Sequence, residues 1–218
     1  QKKPPLTLYE VPEETLFNSQ FQVPQSPFCR TCERITGFKP QSHYYLGAFG
    51  NDVLFFYRDY EQKVRQKKTI RFERNGFNRR KDVPSNQIKG VFVPFFGEER
   101  LRAFADSSMT DIFFVESEKT TIYCQLVFQS LGLWLGCGGN TGCTQAKIQR
   151  VRHLLSGKRL FVLFDNDDAG RSGTETALAN FRRNHLDASE LAVSDLFPTA
   201  PEKFDMADCI LAGSGVVL

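Results

Sequence analysis

Short apolar runs, each bounded by polar or turn-forming residues, recur along the chain in two styles. Between residues 43 and 95 they are aromatic and β-branched and closely spaced: Tyr44-Tyr45-Leu46-Gly47, Val53-Leu54-Phe55-Phe56-Tyr57, Thr69-Ile70-Arg71-Phe72 and Val91-Phe92-Val93-Pro94-Phe95. Runs of this kind separated by turn signals read as strands, and Asn75-Gly76 is a strong turn dipeptide. A short helix is expected over residues 98–105. From Asp111 the style changes. Ile112-Phe113-Phe114-Val115 is an unbroken apolar run, as a parallel strand buried on both faces requires, and a helical stretch follows over 117–129. Leu133-Trp134-Leu135 is the next strand, followed by a glycine-rich turn over 136–142 and a helix over 144–155. Arg159-Leu160-Phe161-Val162-Leu163-Phe164 is the third strand, with a helix over 170–183, a weaker strand at Leu191-Ala192-Val193 and a final helix over 206–211. Repeated strand–helix units predict an α/β fold, a mostly parallel sheet of about four strands flanked by helices. Ligands of such sheets lie at the carboxyl ends of the strands.

Residues 1–42 show little periodicity and are rich in Pro, Gln and Ser, which predicts an extended arm. The chain therefore divides into this arm, a small basic β-rich α+β subdomain over 43–108, and the α/β domain over 109–218. At 218 residues, 41% hydrophobic and 24% charged, the chain can build a real core, and wholesale disorder is excluded. No run of 18 apolar residues occurs, so no membrane span is expected. The first residues, Gln1-Lys2-Lys3-Pro4-Pro5, lack the apolar centre of a signal peptide and a starting Met, so a fragment or a processed chain is expected. The six cysteines show no disulfide-framework spacing, and several lie in apolar segments, as suits a reducing, cytoplasmic compartment.

The net charge of +3 is too small to identify a partner, but its distribution is uneven. Residues 58–102 carry 13 Lys/Arg against 6 Asp/Glu, and residues 165–208 carry 10 Asp/Glu against 4 Lys/Arg. One part of the chain suits a polyanion and another metal ions, against the plainer reading of two solvated faces. Arg58, Lys63, Arg65, Lys67, Lys68 and Arg71 are the candidate phosphate contacts to nucleic acid, which are independent of sequence. Phe56, Tyr57, Phe72 and Phe77 are candidates for stacking on single-stranded bases, although alternate aromatics of a half-buried sheet face a core. Cys29 and Cys32 form one Cys-x2-Cys pair. A structural Zn²⁺ site takes four ligands, and no second pair lies within reach. The pair is either a remnant of a zinc module or two unligated thiols.

The chemistry concentrates at two strand ends. Val115-Glu116-Ser117-Glu118-Lys119 follows the first strand of the α/β region, and Asp165-Asn166-Asp167-Asp168-Ala169-Gly170 follows the third. Carboxylates there lose water and repel one another, so they stay ionised together only if a cation shares the site. Oxygen donors at this density suit Mg²⁺ or Mn²⁺. Gly170 lets the chain turn tightly into a helix whose N-terminus lies near the metal or a phosphate. Taken singly, a Glu at a strand end is an ordinary solvated or capping residue, and an Asp cluster before a helix is an N-cap. A calcium loop is a poor fit, because its twelfth position would be Thr176.

With Glu116 followed after 49 residues by Asp165-Asn166-Asp167-Asp168-Ala169-Gly170-Arg171, residues 109–212 resemble the Toprim domain of bacterial-type primases, type IA and II topoisomerases, recombination mediators and certain nucleases. The Glu-Ser-Glu-Lys and Asp-Asp-Ala-Gly-Arg forms are most similar to primases of phages, plasmids and mobile elements. The basic β-rich segment is similar to the subdomain that precedes Toprim in those primases. Glu202-Lys203-Phe204-Asp205-Met206-Ala207-Asp208 is similar to their Lys-Asp-x-x-Asp/Asn stretch, with one residue added after Lys203. The resemblance implies two-metal phosphoryl transfer. Asp165 and Asp167, supported by Asp205 and Asp208, would hold Mg²⁺ or Mn²⁺. Glu116 would be a ligand or the general base, and Lys119 would neutralise the cluster or reach a phosphate. Glu118 and Asp168 are secondary acidic candidates, and Gly170 and Arg171 form a phosphate-facing turn. The implied activity is synthesis of short RNA primers on a single-stranded DNA template from nucleoside triphosphates, with a replicative helicase as candidate partner. A Toprim nuclease and a non-catalytic nucleic-acid-binding module are the alternatives. Nucleases of this type usually accompany an ATPase domain, and no Gly-x4-Gly-Lys-Ser/Thr motif occurs in this sequence.

Overall fold

A computed structural model of the chain describes residues 26–49, 52–76, 78–80 and 91–213. The chain forms two compact units that divide between Pro94 and Phe95, ahead of the boundary expected at 108/109.

The first unit combines helix α1 (Pro27–Thr36) with an antiparallel sheet of β1 (Leu46–Phe49), β2 (Asp52–Arg58) and β3 (Val64–Arg71), in that order. Helix α1 replaces part of the expected arm, whose residues 1–25 lie outside the described residues. Its start and stop are local. The Ser26 hydroxyl accepts the Cys29 N–H at 3.1 Å, Pro27 opens the first turn, and Gly37 closes it at φ +76°. Phe28 stacks on Phe72 with ring centroids 4.7 Å apart and meets Phe55 edge-on at 5.8 Å. At the Asn75-Gly76 turn the chain passes so close to α1 that a Cβ on Gly76 would lie 2.0 Å from the Pro27 carbonyl oxygen.

Cys29 and Cys32 both stand on this helix. Both thiols are buried on α1, and burial pushes both up, Cys32 to about 12. In this setting the two side chains pack as small apolar groups. The run Val91-Phe92-Val93-Pro94-Phe95 builds no strand among the described residues, and Pro94 has no N–H for a ladder.

The second unit opens with a 3₁₀ turn (Glu98–Arg100) and α2 (Leu101–Ala105). It then alternates β4 (Asp111–Val115), α3 (Glu118–Val127), β5 (Leu133–Gly136), α4 (Gln145–Leu155), β6 (Arg159–Leu163), α5 (Asp168–Arg183) and β7 (Ala188–Glu190). Two short helices, α6 (Val193–Leu196) and α7 (Met206–Leu211), end the unit. The sheet order is β5-β4-β6-β7, parallel throughout, so the expected α/β architecture is present. The fourth strand falls earlier than expected, and Val193 instead opens α6. Phe113 lies opposite Trp134 on β5 and Phe161 on β6, with rings stacked at 4.3 and 5.1 Å. This ladder fixes the central register, and so the level at which the strands end.

One buried ion pair organises the β2–β3 hairpin. The Asp59 carboxylate, wholly buried, accepts the N–H groups of Glu61 (2.9 Å) and Lys63 (3.0 Å) and the Arg65 Nε–H (2.6 Å). Removing one partner of such a pair strands a buried charge. Asp59→Ala is expected to lower the unfolding free energy by about 3 kcal/mol in urea denaturation.

Candidate active site

Glu116 follows β4 and is clasped by the turn after β5. Its main-chain oxygen accepts the N–H groups of Gly138 (3.0 Å) and Gly139 (2.9 Å), and its carboxylate accepts those of Asn140 and Asp165. Gly138 and Gly139 sit at φ +85° and +136°, which side chains other than hydrogen rarely allow. Ser117 caps α3, its hydroxyl accepting the Thr120 N–H at 3.2 Å. Beyond the cap the helix delivers Lys119 and Thr120 to α7. Lys119 Nζ lies 3.1 Å from Asp208 Oδ1 and 3.2 Å from Asp205 Oδ2, and the Thr120 hydroxyl donates to Asp205 Oδ2 at 2.8 Å. Asp205 and Asp208 cap α7 reciprocally, each carboxylate accepting the other's N–H, at 2.7 and 3.1 Å. The segment before α7 is zipped to the end of β6 by Lys203 N–H to Asn166 O (2.8 Å) and Asn166 N–H to Phe204 O (3.2 Å).

Asp165 leaves β6 next to β4, and Asp167 caps α5 by accepting the Gly170 N–H at 2.8 Å. Gly170 is required by close approach, since a Cβ there would lie 2.1 Å from the Asp165 carbonyl oxygen. Burial pushes the Asp165 carboxyl up to about 8, with Asp205 and Glu116 adding to the shift. Burial and then Asp167 raise Glu116. Burial and then Asp205 raise Asp208. Burial alone would lower Lys119, but Asp205 and Asp208 outweigh it and hold the ammonium above its ordinary value. Glu116, Asp165, Asp167 and Asp205 thus share one electrostatic site, anchored by Lys119. Asp168 stands apart, its side chain 97% exposed and paired with Arg171 at 2.6 Å. Glu118 is buried in the first turn of α3. Thr120, absent from the sequence-based candidates, lies in the first turn of α3, and its bond to Asp205 spans 85 residues, beyond the reach of local spacing.

Among the described residues no three His, Cys, Asp or Glu side chains stand ready as a metal-binding group. The donor chemistry nonetheless fits a hard divalent cation: the carboxylates of Glu116, Asp165 and Asp167 are oxygen donors, and Asp165 is destabilised as an anion where it stands. Asp205 and Asp208 differ, because their oxygens already serve Lys119, Thr120 and the α7 cap.

The basic candidates of the first unit separate by register. Lys67 pairs with Phe56 and Lys68 with Phe55, so Lys67 shares a face with Phe56 and Arg58 while Lys68 lies on the other. Arg65 is buried against Asp59, and Arg71 is held by Asp52 at 2.5 and 2.8 Å. Lys63 is exposed, and the Arg58 guanidinium lies 4.6 Å from the Tyr45 ring centroid. Phe56, Tyr57 and Phe72 are buried, which excludes base stacking by them, and Phe77 lies outside the described residues. Among the described residues the exposed aromatics are Phe38 and Tyr45, at 44% and 42%.

The raised Asp165 value fixes a sign for stability. A carboxyl whose folded value (about 8) exceeds its ordinary 3.8 contributes stability that is complete below pH 3.8 and is lost as pH rises through 8. Asp165→Asn should therefore gain on the metal-free wild type between about pH 5 and about pH 8.5, by roughly 5 °C in Tm. Calorimetry across that range checks this, and Mn²⁺ should raise the wild type alone at the alkaline end.

Residues 30–166 match the model of a family described as a domain of unknown function, DUF6371. No curated protein matches the sequence. Solved structures do. The DnaG catalytic core superposes with a TM-score of 0.66 at 14% identity, covering 93% of this chain and 75% of that one. The DnaG primase catalytic domain bound to single-stranded DNA gives 0.61 at 12% identity, covering 93% and 76%. The primase fragment of the bacteriophage T7 primase-helicase gives 0.53 at 16%, covering 85% and 66%, so this chain spans just under two thirds of that fragment. At these identities the likeness is one of fold, the DnaG-type primase Toprim fold. The family match runs from α1 to the turn after β6 and takes in both strands that carry Glu116 and Asp165, and the chain belongs to the DUF6371 family.

Proposed function

We propose that this chain is a Toprim primase, which synthesises short RNA primers on single-stranded DNA by metal-dependent nucleotidyl transfer. The observation that carries the reading is the half-buried carboxylate pair Glu116 and Asp165 at the ends of adjacent parallel strands, with Asp165 pushed up to about 8. Such a pair is costly to a fold unless a cation uses it. Glu116, Asp165 and Asp167 would hold Mg²⁺ or Mn²⁺. The bound cation supplies neutralisation of the triphosphate and of the leaving pyrophosphate. Burial raises Glu116, the direction that a general base for an attacking 3′-hydroxyl needs, as the alternative to ligation. Lys119 and Thr120 hold Asp205, keeping a second carboxylate beside Asp165 without leaving it uncompensated. Arg58, Lys63 and Lys67 would meet template phosphates. The setting this implies is cytoplasmic replication of a phage, plasmid or mobile element, with a replicative helicase as partner.

The test is incubation with single-stranded DNA, labelled nucleoside triphosphates and Mn²⁺. New short RNA is the expected product. Cleavage of the DNA would mark a nuclease, and binding with neither product a non-catalytic module. Asp165→Asn and Asp167→Asn should each lower synthesis by about 100-fold or more while DNA affinity stays within about 2-fold. Arg58→Ala with Lys67→Ala should weaken binding to all sequences alike and reduce the salt slope by up to about 2, whereas Lys68→Ala, on the other face, should change it by less than about 0.5.

A further inference from the structure

Lys147 is a buried amine that the carboxylate site does not use directly. It lies in the first turn of α4, is 7% exposed, and its Nζ donates to the Cys137 carbonyl oxygen at 2.8 Å. Its ammonium also lies 5.3 Å from the Phe95 ring centroid. The charged and titratable groups facing it are Cys137, Cys143, Glu98 and Glu118, and Glu98 is itself engaged by Arg150 and by the Phe95 N–H at 3.0 Å. Burial lowers the Lys147 value, and those four groups oppose the shift. An apolar side chain of the same length would fill this space without desolvating an amine, so the amine calls for a reason.

The reason lies in what Cys137 begins. Its N–H donates to Val115 O at 2.8 Å, one residue before Glu116, and its carbonyl opens the turn that folds over Glu116. Gly142 N–H closes that turn on Gly139 O at 2.9 Å, and a Cβ on Gly142 would lie 2.1 Å from the Cys137 carbonyl oxygen. The amides of Gly138, Gly139 and Asn140 are all directed at Glu116. We infer that Lys147 is a positioning residue: by holding the Cys137 carbonyl it fixes the turn whose three amides orient Glu116. Its effect on catalysis rests on the primase reading, while its effect on the turn does not.

Amide hydrogen exchange of the full chain tests the inference in wild type and Lys147→Met. The Gly138, Gly139 and Asn140 amides should exchange at least about 10-fold faster in the variant, with β5 and α4 amides within about 2-fold. Primer synthesis should fall about 10-fold in kcat at unchanged KM for nucleotide. Unchanged exchange at the three amides overturns the inference, and so does uniform acceleration across the unit, which would mark Lys147 as a packing residue. Should Lys147→Met not fold, Lys147→Leu, which likewise lacks a donor, takes its place under the same criteria. A wild type that makes no primers contradicts the primase reading alone, because the exchange result still decides the role of Lys147.

Discussion

Two carboxyl groups at the ends of neighbouring parallel strands repel each other and have lost much of the water that would keep them ionised. In this chain the pairing of Val115 with Leu163 brings the ends of β4 and β6 side by side, and Glu116 and Asp165 leave from there. Much of the second unit is arranged around that conflict. The turn after β5 supplies three amides to Glu116, and the glycines that make this possible tolerate backbone angles closed to other residues. Gly170 lets α5 start against the backbone of Asp165. The amides of Asn140 and Asp165 favour the ionised form of Glu116, yet burial and Asp167 outweigh them.

The same conflict separates the acidic residues into two kinds. Asp205 and Asp208 are compensated: one ammonium, one hydroxyl and a reciprocal cap occupy their oxygens, and they tie α3 to α7. Among the described residues Glu116 and Asp165 have no ion pair comparable to those that Lys119 makes with Asp205 and Asp208. A site in which some carboxylates are fixed by protein partners and others are left for an external cation is what the proposed metal-dependent phosphoryl transfer requires.

The sequence carried the sheet because β4, β5 and β6 are unbroken apolar runs, which only strands buried on both faces tolerate. It carried Glu116 and Asp165 for the same reason: each is the first acidic residue after such a run. What it could not carry was partnership. Nothing in the local pattern tells that Arg65 is buried against Asp59, that Asp52 holds Arg71, or that Lys68 points to the opposite face from Lys67. Those are matters of register and burial. Helix α1 was read as an arm because Pro, Ser and Gln dominate around it, although Ser26-Pro27 before it and Gly37 after it are helix boundary signals. The roles of Thr120 and Lys147 depend on long-range contacts that no spacing rule reaches.

The ends of β4 and β6 are proposed to bind a divalent cation through Glu116, Asp165 and Asp167. Mn²⁺ titration followed by paramagnetic broadening of backbone amide resonances tests it most directly. The expected result is broadening that spreads outward from Glu116, Asp165 and Asp167 and is lost in Asp165→Asn. Broadening centred elsewhere, or retained in full by that variant, would contradict it.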